Sequence, residues 1–129
     1  MTLDRRQTLG AGFGLAMTMT APSALSRESA MYGLIGKMTA TPGNRDTLAA
    51  ALLEGLNDMP GCLSYVVAED PSDADALWIT EVWDSPDSHQ ASLALPQVQA
   101  AITRARPVIA GFSDRRETRP IGGVGLLSR

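Results

Sequence analysis

The apolar and polar residues that follow residue 30 predict four strands and three helical segments. Strand-forming residues without helical apolar spacing occupy 31–39, 62–69, 77–83 and 110–119. The spacing of apolar residues, together with helix-start residues, predicts helices over 45–59, 87–94 and 97–106. The order along the chain is therefore strand, helix, strand, strand, helical region, strand.

Turn and capping residues mark the ends of these elements. Pro60-Gly61 is expected to end the first helix, and the polar segment 70–75 is expected to close a hairpin of two strands. Ser85-Pro86 places an N-cap and an N1 proline before the second helical region, which Pro96 divides into two helices. The pattern predicts an α+β fold of the ferredoxin-like, split β-α-β-β-α-β type.

A four-stranded sheet of this type is covered by helices on one face only. A second copy of the chain could cover the other face, which predicts a homodimer. A charge at Val67 or Val82 should disrupt the pairing, although the sequence leaves open which of the two points outward. By strand alternation Trp78 lies opposite Trp83 and is expected in the dimer interface.

Charge and composition exclude several classes of partner. From residue 27 onward the chain has nine Lys+Arg and thirteen Asp+Glu, a net charge of −4, so neither nucleic acid nor an anionic membrane surface is expected as a partner. No run of 18 apolar residues is present, so no membrane span is expected. Cys62 is the single cysteine, and no Cys/His cluster has metal-ligand spacing, so no metal site is expected.

Residues 1–26 are typical of an export leader. Arg5 and Arg6 precede a Gly/Ala-rich stretch, with Leu9 three positions after the pair, which is similar to a twin-arginine signal. This hypothesis predicts a periplasmic protein with a domain over 27–123 and a tail over 124–129. The alternative is a cytoplasmic protein whose translation begins at Met31.

Three stretches resemble the antibiotic biosynthesis monooxygenase family, which includes quinol monooxygenase-like proteins. They are MYGLIGKMTATPGNRDTL, MPGCLSYVVAED and WITEVWDSPDSHQASLALPQVQAAI. The third is the most specific, with a strand that ends in Glu-x-Trp, a capped turn, a histidine on the next helix, and Leu-x-x-Pro. The resemblance implies a dimeric α+β barrel.

The resemblance also implies a function. Family members that oxidise quinol- or anthrone-like aromatics with O₂ are thought to need neither metal nor flavin, so no cofactor is expected here. A different class remains open, a ligand-binding or stress-associated protein of the same fold without turnover. Haem degradation is disfavoured because 97–109 contains no histidine and 31–39 contains no asparagine, as that branch of the family would require.

His89, Trp83 and Glu81 are the candidate catalytic residues. His89 is the only histidine and could accept a proton, since imidazole titrates near neutral pH; it could equally be a surface residue bonded to Ser85 or water. The resemblance places an aromatic site residue near Trp83, which could contact an aromatic substrate or simply fill the core.

Glu81 lies two residues before Trp83 on the same face of its strand. A carboxylate in that position needs a partner because its burial is costly. A structural ion pair with Arg104 or Arg106 is one hypothesis, and a base with a raised pKa is the other.

Overall fold

The computed structural model describes residues 30–126. The leader predicted for residues 1–26 and the last three residues of the predicted tail lie outside this range. The elements in chain order are β1 (Tyr32–Ala40), α1 (Arg45–Glu54), β2 (Cys62–Glu69), β3 (Ala76–Trp83), α2 (Pro86–Ser92), α3 (Pro96–Ala105), a 3₁₀ turn (Arg106–Val108) and β4 (Ile109–Thr118). The predicted split β-α-β-β-α-β order is confirmed.

The four strands form one antiparallel sheet in the order β2-β3-β1-β4. β3 occupies a central position, so its side chains are flanked by β2 on one side and β1 on the other. Glu81 of β3 pairs in register with Leu34 of β1 and Tyr65 of β2. Glu81 alternates in phase with the core residues Leu77 and Ile79, so its carboxylate lies on the helix-covered face of the sheet.

The first helix ends five residues earlier than the leucine spacing predicts. α1 stops at Glu54, and the amide of Gly55 donates to the carbonyl of Leu52. A Cβ at Gly55 would lie 2.8 Å from the Cβ of Ala101 in α3, so the glycine allows the two helices to approach closely. Residues 55–61 then form a loop, which includes Asp58 with φ of 48°. The prediction of a helix through residue 59 was wrong because this tertiary contact is not encoded in the local pattern.

The second helical region begins as its capping residues predict. The hydroxyl of Ser85 accepts a hydrogen bond from the amide of Ser88 at 3.1 Å, and Pro86 occupies the first helical position. A short connection follows α2, and α3 begins at Pro96, which again occupies the first position of a helix. The Ser85 cap determines where α2 begins after β3, and therefore where His89 lies on that helix.

The core lies between the helices and one face of the sheet. Its buried members come from β1, α1, β3 and α3: Ala40, Leu48, Ala51, Leu77, Ile79 and Ala105. Val67 packs against this cluster, whereas Val82 lies on the opposite face by strand alternation. Val82 is therefore the position whose side chain points away from the helices.

Trp78 also lies on the face that the helices leave open. Its indole N–H donates to the Oδ2 atom of Asp70 at 2.9 Å, and the Lys37 ammonium lies 5.9 Å from its ring centroid. The hairpin turn thus anchors this tryptophan within its own chain. Its predicted place in a dimer interface stays a prediction.

Within residues 30–126, no helix has the length and apolar character needed to cross a bilayer. The same range contains no group of three or more His, Cys, Asp or Glu residues that could hold a metal ion.

Candidate active site

A cavity of about 320 Å³ lies between the helices and the covered face of the sheet. Its wall is mainly apolar, with side chains from β1, α1, the loop after α1 and α3: Met38, Leu52, Leu56, Met59, Val98 and Ile102. Polar side chains enter it at a few positions, chiefly Tyr65, Glu81 and His89. An apolar pocket with a few convergent polar groups is the usual form of a small-molecule site.

Glu81 and His89 come together at the cavity wall. The Nε2 atom of His89 lies 3.9 Å from the Oε1 atom of Glu81, and their side chains are 17% and 14% exposed. The two residues are eight positions apart in sequence, and the Ser85 cap turns α2 back over the end of β3 to bring them together. The structure therefore places both predicted residues in one site.

Trp83 stands behind this pair and does not line the cavity. It is 1% exposed, and its indole Nε1–H donates to the Oε1 atom of Glu81 at 2.9 Å. Its ring meets the His89 ring edge-on, with 5.5 Å between the centroids. Trp83 therefore orients the carboxylate and supports the imidazole in this structure, and its predicted contact with a substrate stays a prediction.

The ion pair proposed between Glu81 and an arginine of the last helix is not formed. The Nη2 atom of Arg104 lies 2.7 Å from the Oε1 atom of Glu54, on the exposed surface between α3 and α1. The partners of Glu81 are instead Trp83, at the end of its own strand, and His89, in the helix that follows. This arrangement leaves the carboxylate close to a group that can exchange a proton.

Burial controls the ionisation of Glu81. Loss of solvent raises its pKa above the ordinary value, although the Trp83 N–H, His89 and Arg115 all act in the opposite direction. A carboxylate whose pKa is raised holds a proton more strongly than one in water. Such a group is suited to proton transfer, and perturbed carboxylates of this kind concentrate at functional sites.

The family model for antibiotic biosynthesis monooxygenases matches residues 31–104. The chain belongs to the antibiotic biosynthesis monooxygenase family. A solved structure from Chloroflexus aurantiacus, assigned to the same family, is 67% identical, covers 74% of this chain and 98% of its own, and superposes with a TM-score of 0.73.

More distant solved structures share the fold. A Caulobacter crescentus protein assigned to the family is 16% identical, with a TM-score of 0.67 over 78% of this chain and 99% of its own. SnoaB from Streptomyces nogalater, a cofactor-independent oxygenase, is 14% identical, with a TM-score of 0.59 over 74% of this chain and 97% of its own. No protein of curated function matches the sequence significantly.

In this antibiotic biosynthesis monooxygenase fold, two tyrosines that the sequence did not single out lie beside the pair of Glu81 and His89. Tyr65 lines the cavity opposite Glu81, and burial raises the pKa of its phenol, so the hydroxyl stays protonated and able to donate. The Tyr32 ring lies 5.4 Å from the His89 ring, and its hydroxyl donates to Glu117 at 2.8 Å. Tyr65 could have been predicted from its cross-strand pairing with Glu81. That pairing depends on how many residues form the hairpin turn between β2 and β3.

Proposed function

We propose that the chain is a cofactor-independent monooxygenase that oxidises quinol- or anthrone-like aromatics with O₂ in the cavity beside Glu81 and His89. The observation that supports this proposal is the pairing of a histidine and a buried carboxylate on the wall of an otherwise apolar cavity. The family to which the chain belongs points to the same chemistry.

The first step is removal of a proton from an activated carbon of the substrate. His89 accepts this proton, and the Glu81 carboxylate 3.9 Å away stabilises the imidazolium that forms. Trp83 holds Oε1 of Glu81 in place through its N–H. Tyr65 donates from its protonated hydroxyl to a ring oxygen of the substrate, which helps to carry the negative charge of the carbanion.

Oxygen then enters by direct reduction. The carbanion gives one electron to O₂, and the resulting radical pair combines to form a C–O bond and a peroxide anion. The peroxide takes back a proton from His89, then loses water as the second C–H proton leaves, so that R₂CH₂ + O₂ gives R₂C=O + H₂O. A quinol enters the same sequence by giving its O–H proton to His89, since the phenolate has carbanion character at the neighbouring ring carbon. O₂ adds at that carbon, and loss of water with its C–H proton leaves a hydroxyquinone, so that C₁₀H₈O₂ + O₂ gives C₁₀H₆O₃ + H₂O for 1,4-naphthohydroquinone. The apolar wall excludes water from the radical pair.

Oxygen uptake by the purified protein tests the proposal. Anthrone and 1,4-naphthohydroquinone are offered in the presence of a chelator, with ¹⁸O₂ to show that one atom enters the product. His89→Ala should lower turnover by about 10² to 10⁴, which is the usual contribution of a general base.

A matched pair of variants separates the site from the surface. Glu81→Gln should lower turnover strongly, whereas Glu54→Gln, at the exposed pair with Arg104, should leave it unchanged. Unchanged turnover of His89→Ala between pH 5 and 9 would remove His89 from the mechanism. A broad quinol panel without protein-dependent O₂ uptake would favour the ligand-binding alternative instead.

The assembly and location of the protein belong to the same proposal. We infer a homodimer formed through the sheet face that carries Val82, because the helices described within residues 30–126 cover the other face. Export through the twin-arginine pair at Arg5 and Arg6 would place this dimer in the periplasm.

A further inference from the structure

A second concavity continues from the cavity along the same face of the sheet. It has a volume of about 350 Å³ and lies over β1, β3 and β4. Met38, Glu81 and Phe112 line both spaces, so the two meet beside Glu81. We call this second space the β4 groove. A molecule that occupies the cavity can extend into the groove without leaving the surface of the sheet.

Gly36 leaves the floor of the β4 groove open. It lies in the middle of β1 on the same face as Leu34 and Met38, and a Cβ added to it would meet nothing within 4 Å. A glycine inside a strand weakens the strand and often marks a place where a ligand approaches the backbone. Because Gly36 has no side chain, the groove remains open above it.

A β-bulge opposite Gly36 directs Arg115 into the groove. The register of β4 against β1 shifts by one residue between Ile35 and Lys37, and Asp114 has a φ of 53°. Because one extra residue reverses the alternation of a strand, Arg115 lines the groove together with Phe112. Without the bulge, the same positions would present Asp114 to the groove instead.

Arg115 retains donors for a ligand. Its Nη2 atom lies 3.5 Å from the Oε2 atom of Glu117, and its side chain is 63% exposed. An exposed pair of this kind contributes little, and Glu117 also accepts from the hydroxyl of Tyr32. A guanidinium carries five N–H donors in a planar fork that fits a carboxylate.

We propose that the β4 groove is a second substrate subsite, in which Arg115 binds a carboxylate substituent of the aromatic substrate while the reacting ring lies beside Glu81 and His89. This inference rests on the proposed function only for the position of the ring. It makes the substrate an aromatic carboxylic acid that spans both spaces. Phe112, which is 70% exposed, covers the region where the two spaces meet.

Binding of two redox-stable ligands tests the subsite without any turnover. 1-Hydroxy-2-naphthoate and 1-naphthol differ by one carboxylate, and their dissociation constants are measured by calorimetry with the full chain. The carboxylate should improve affinity about fivefold, as expected for one partly exposed charge pair. Arg115→Gln should reduce this ratio to about one, and Arg116→Gln should leave it unchanged because Arg116 pairs with Ile35 on the opposite face.

A filled groove provides an independent test. Gly36→Val should weaken 1-hydroxy-2-naphthoate more than tenfold, because the valine takes the space that the carboxylated ring needs. Gly111→Val is the control, since Gly111 also has open space around its Cβ position and lies opposite Thr39 on the other face of the sheet.

Three outcomes would overturn the subsite. The first is equal affinity for the two ligands, and the second is an equal loss in Arg115→Gln and Arg116→Gln. The third is a Gly36→Val protein that keeps its ligand affinity but loses self-association by sedimentation, which would make the groove a contact between copies of the chain. None of these results depends on O₂ uptake, so the subsite and the proposed reaction can fail separately.

Discussion

The hydrogen bond between Trp83 and Glu81 is the contact that most directly ties the stability of the fold to the chemistry of the site. Trp83→Phe keeps an aromatic ring but removes the indole N–H that lies 2.9 Å from Oε1 of Glu81. A hydrogen bond to a charged group contributes about 1.5–3 kcal/mol. Trp83 is 1% exposed, so the smaller phenylalanine ring leaves unfilled space that lowers the free energy of unfolding by about another 1–2 kcal/mol. A full truncation to alanine would cost about 3–5 kcal/mol.

A double-mutant cycle isolates the hydrogen bond from the cavity. Glu81→Gln keeps an acceptor but removes the charge, and neutral hydrogen bonds contribute about 0.5–1.5 kcal/mol. The coupling between Trp83→Phe and Glu81→Gln in urea denaturation should therefore be roughly 1 kcal/mol when Glu81 is ionised. Additivity within about 0.3 kcal/mol at that pH would refute the charged hydrogen bond.

The pH dependence of the same variants supplies a second check. Burial raises the pKa of Glu81 in the fold, so the native state holds a proton that the unfolded state has already lost. Stability must then fall as the pH rises from the ordinary glutamate value through the raised one. Trp83→Phe removes a donor that lowers this pKa and should steepen the fall, whereas Glu81→Gln should abolish it.

Three other predictions concern assembly, the hairpin turn and the leader. Val82→Asp should give a folded monomer by sedimentation, and a dimeric Val82→Asp protein would contradict the proposed interface. Val67→Asp should instead destabilise the fold by about 3–5 kcal/mol, because its charge would be buried against the core. The Ser72 amide and the Trp78 indole hold the pKa of Asp70 at about 2, below the ordinary 3.8. Ionised Asp70 therefore stabilises the fold at pH values above 3.8, and this stabilisation is lost as the pH falls through about 2. Asp70→Asn should thus lower the denaturation midpoint at pH 7 but not at pH 2, and an equal loss at both would show that charge is not involved. Changing Arg5 and Arg6 to Lys should retain the precursor in the cytoplasm, and native protein found only there and starting at Met31 would refute export.

The strands and helix starts could be predicted from sequence because local chemistry determines them. β2 has the bounds that its composition indicates, and α2 begins at the Ser85-Pro86 pair. The approach of His89 to Glu81 follows from the short turn between β3 and α2, which the Ser85-Pro86 pair indicates, and the catalytic role of the two residues stays a prediction. The alternation of β3 was sufficient to place Glu81 on the same face as Trp83.

Other features depend on contacts between distant segments and left no local signal. The end of α1 depends on the close approach of Gly55 to Ala101, and the partner of Arg104 on where α1 lies. The bulge that turns Arg115 into the β4 groove depends on the register of β4 against β1. The sequence left Trp83 either in contact with a substrate or in the core, and the orientation of its N–H toward Glu81 is determined by packing that alternation alone does not specify.

The position of Glu81 is hard to explain by stability alone. A carboxylate on the covered face of a central strand loses hydration, and its neighbours Trp83 and His89 offset only part of this loss, because the pKa remains raised. An apolar residue of similar volume would fill the site at lower cost, as replacements of buried ion pairs show in other proteins. The cavity beside it also leaves apolar wall unfilled, which a chain selected only for packing would tend to close. A buried acid and an open apolar space each destabilise the fold, and they occur together with a histidine 3.9 Å from the acid. That combination is expected where a site sacrifices stability for proton transfer away from water. Glu81→Gln should therefore raise the stability of the fold while it lowers turnover.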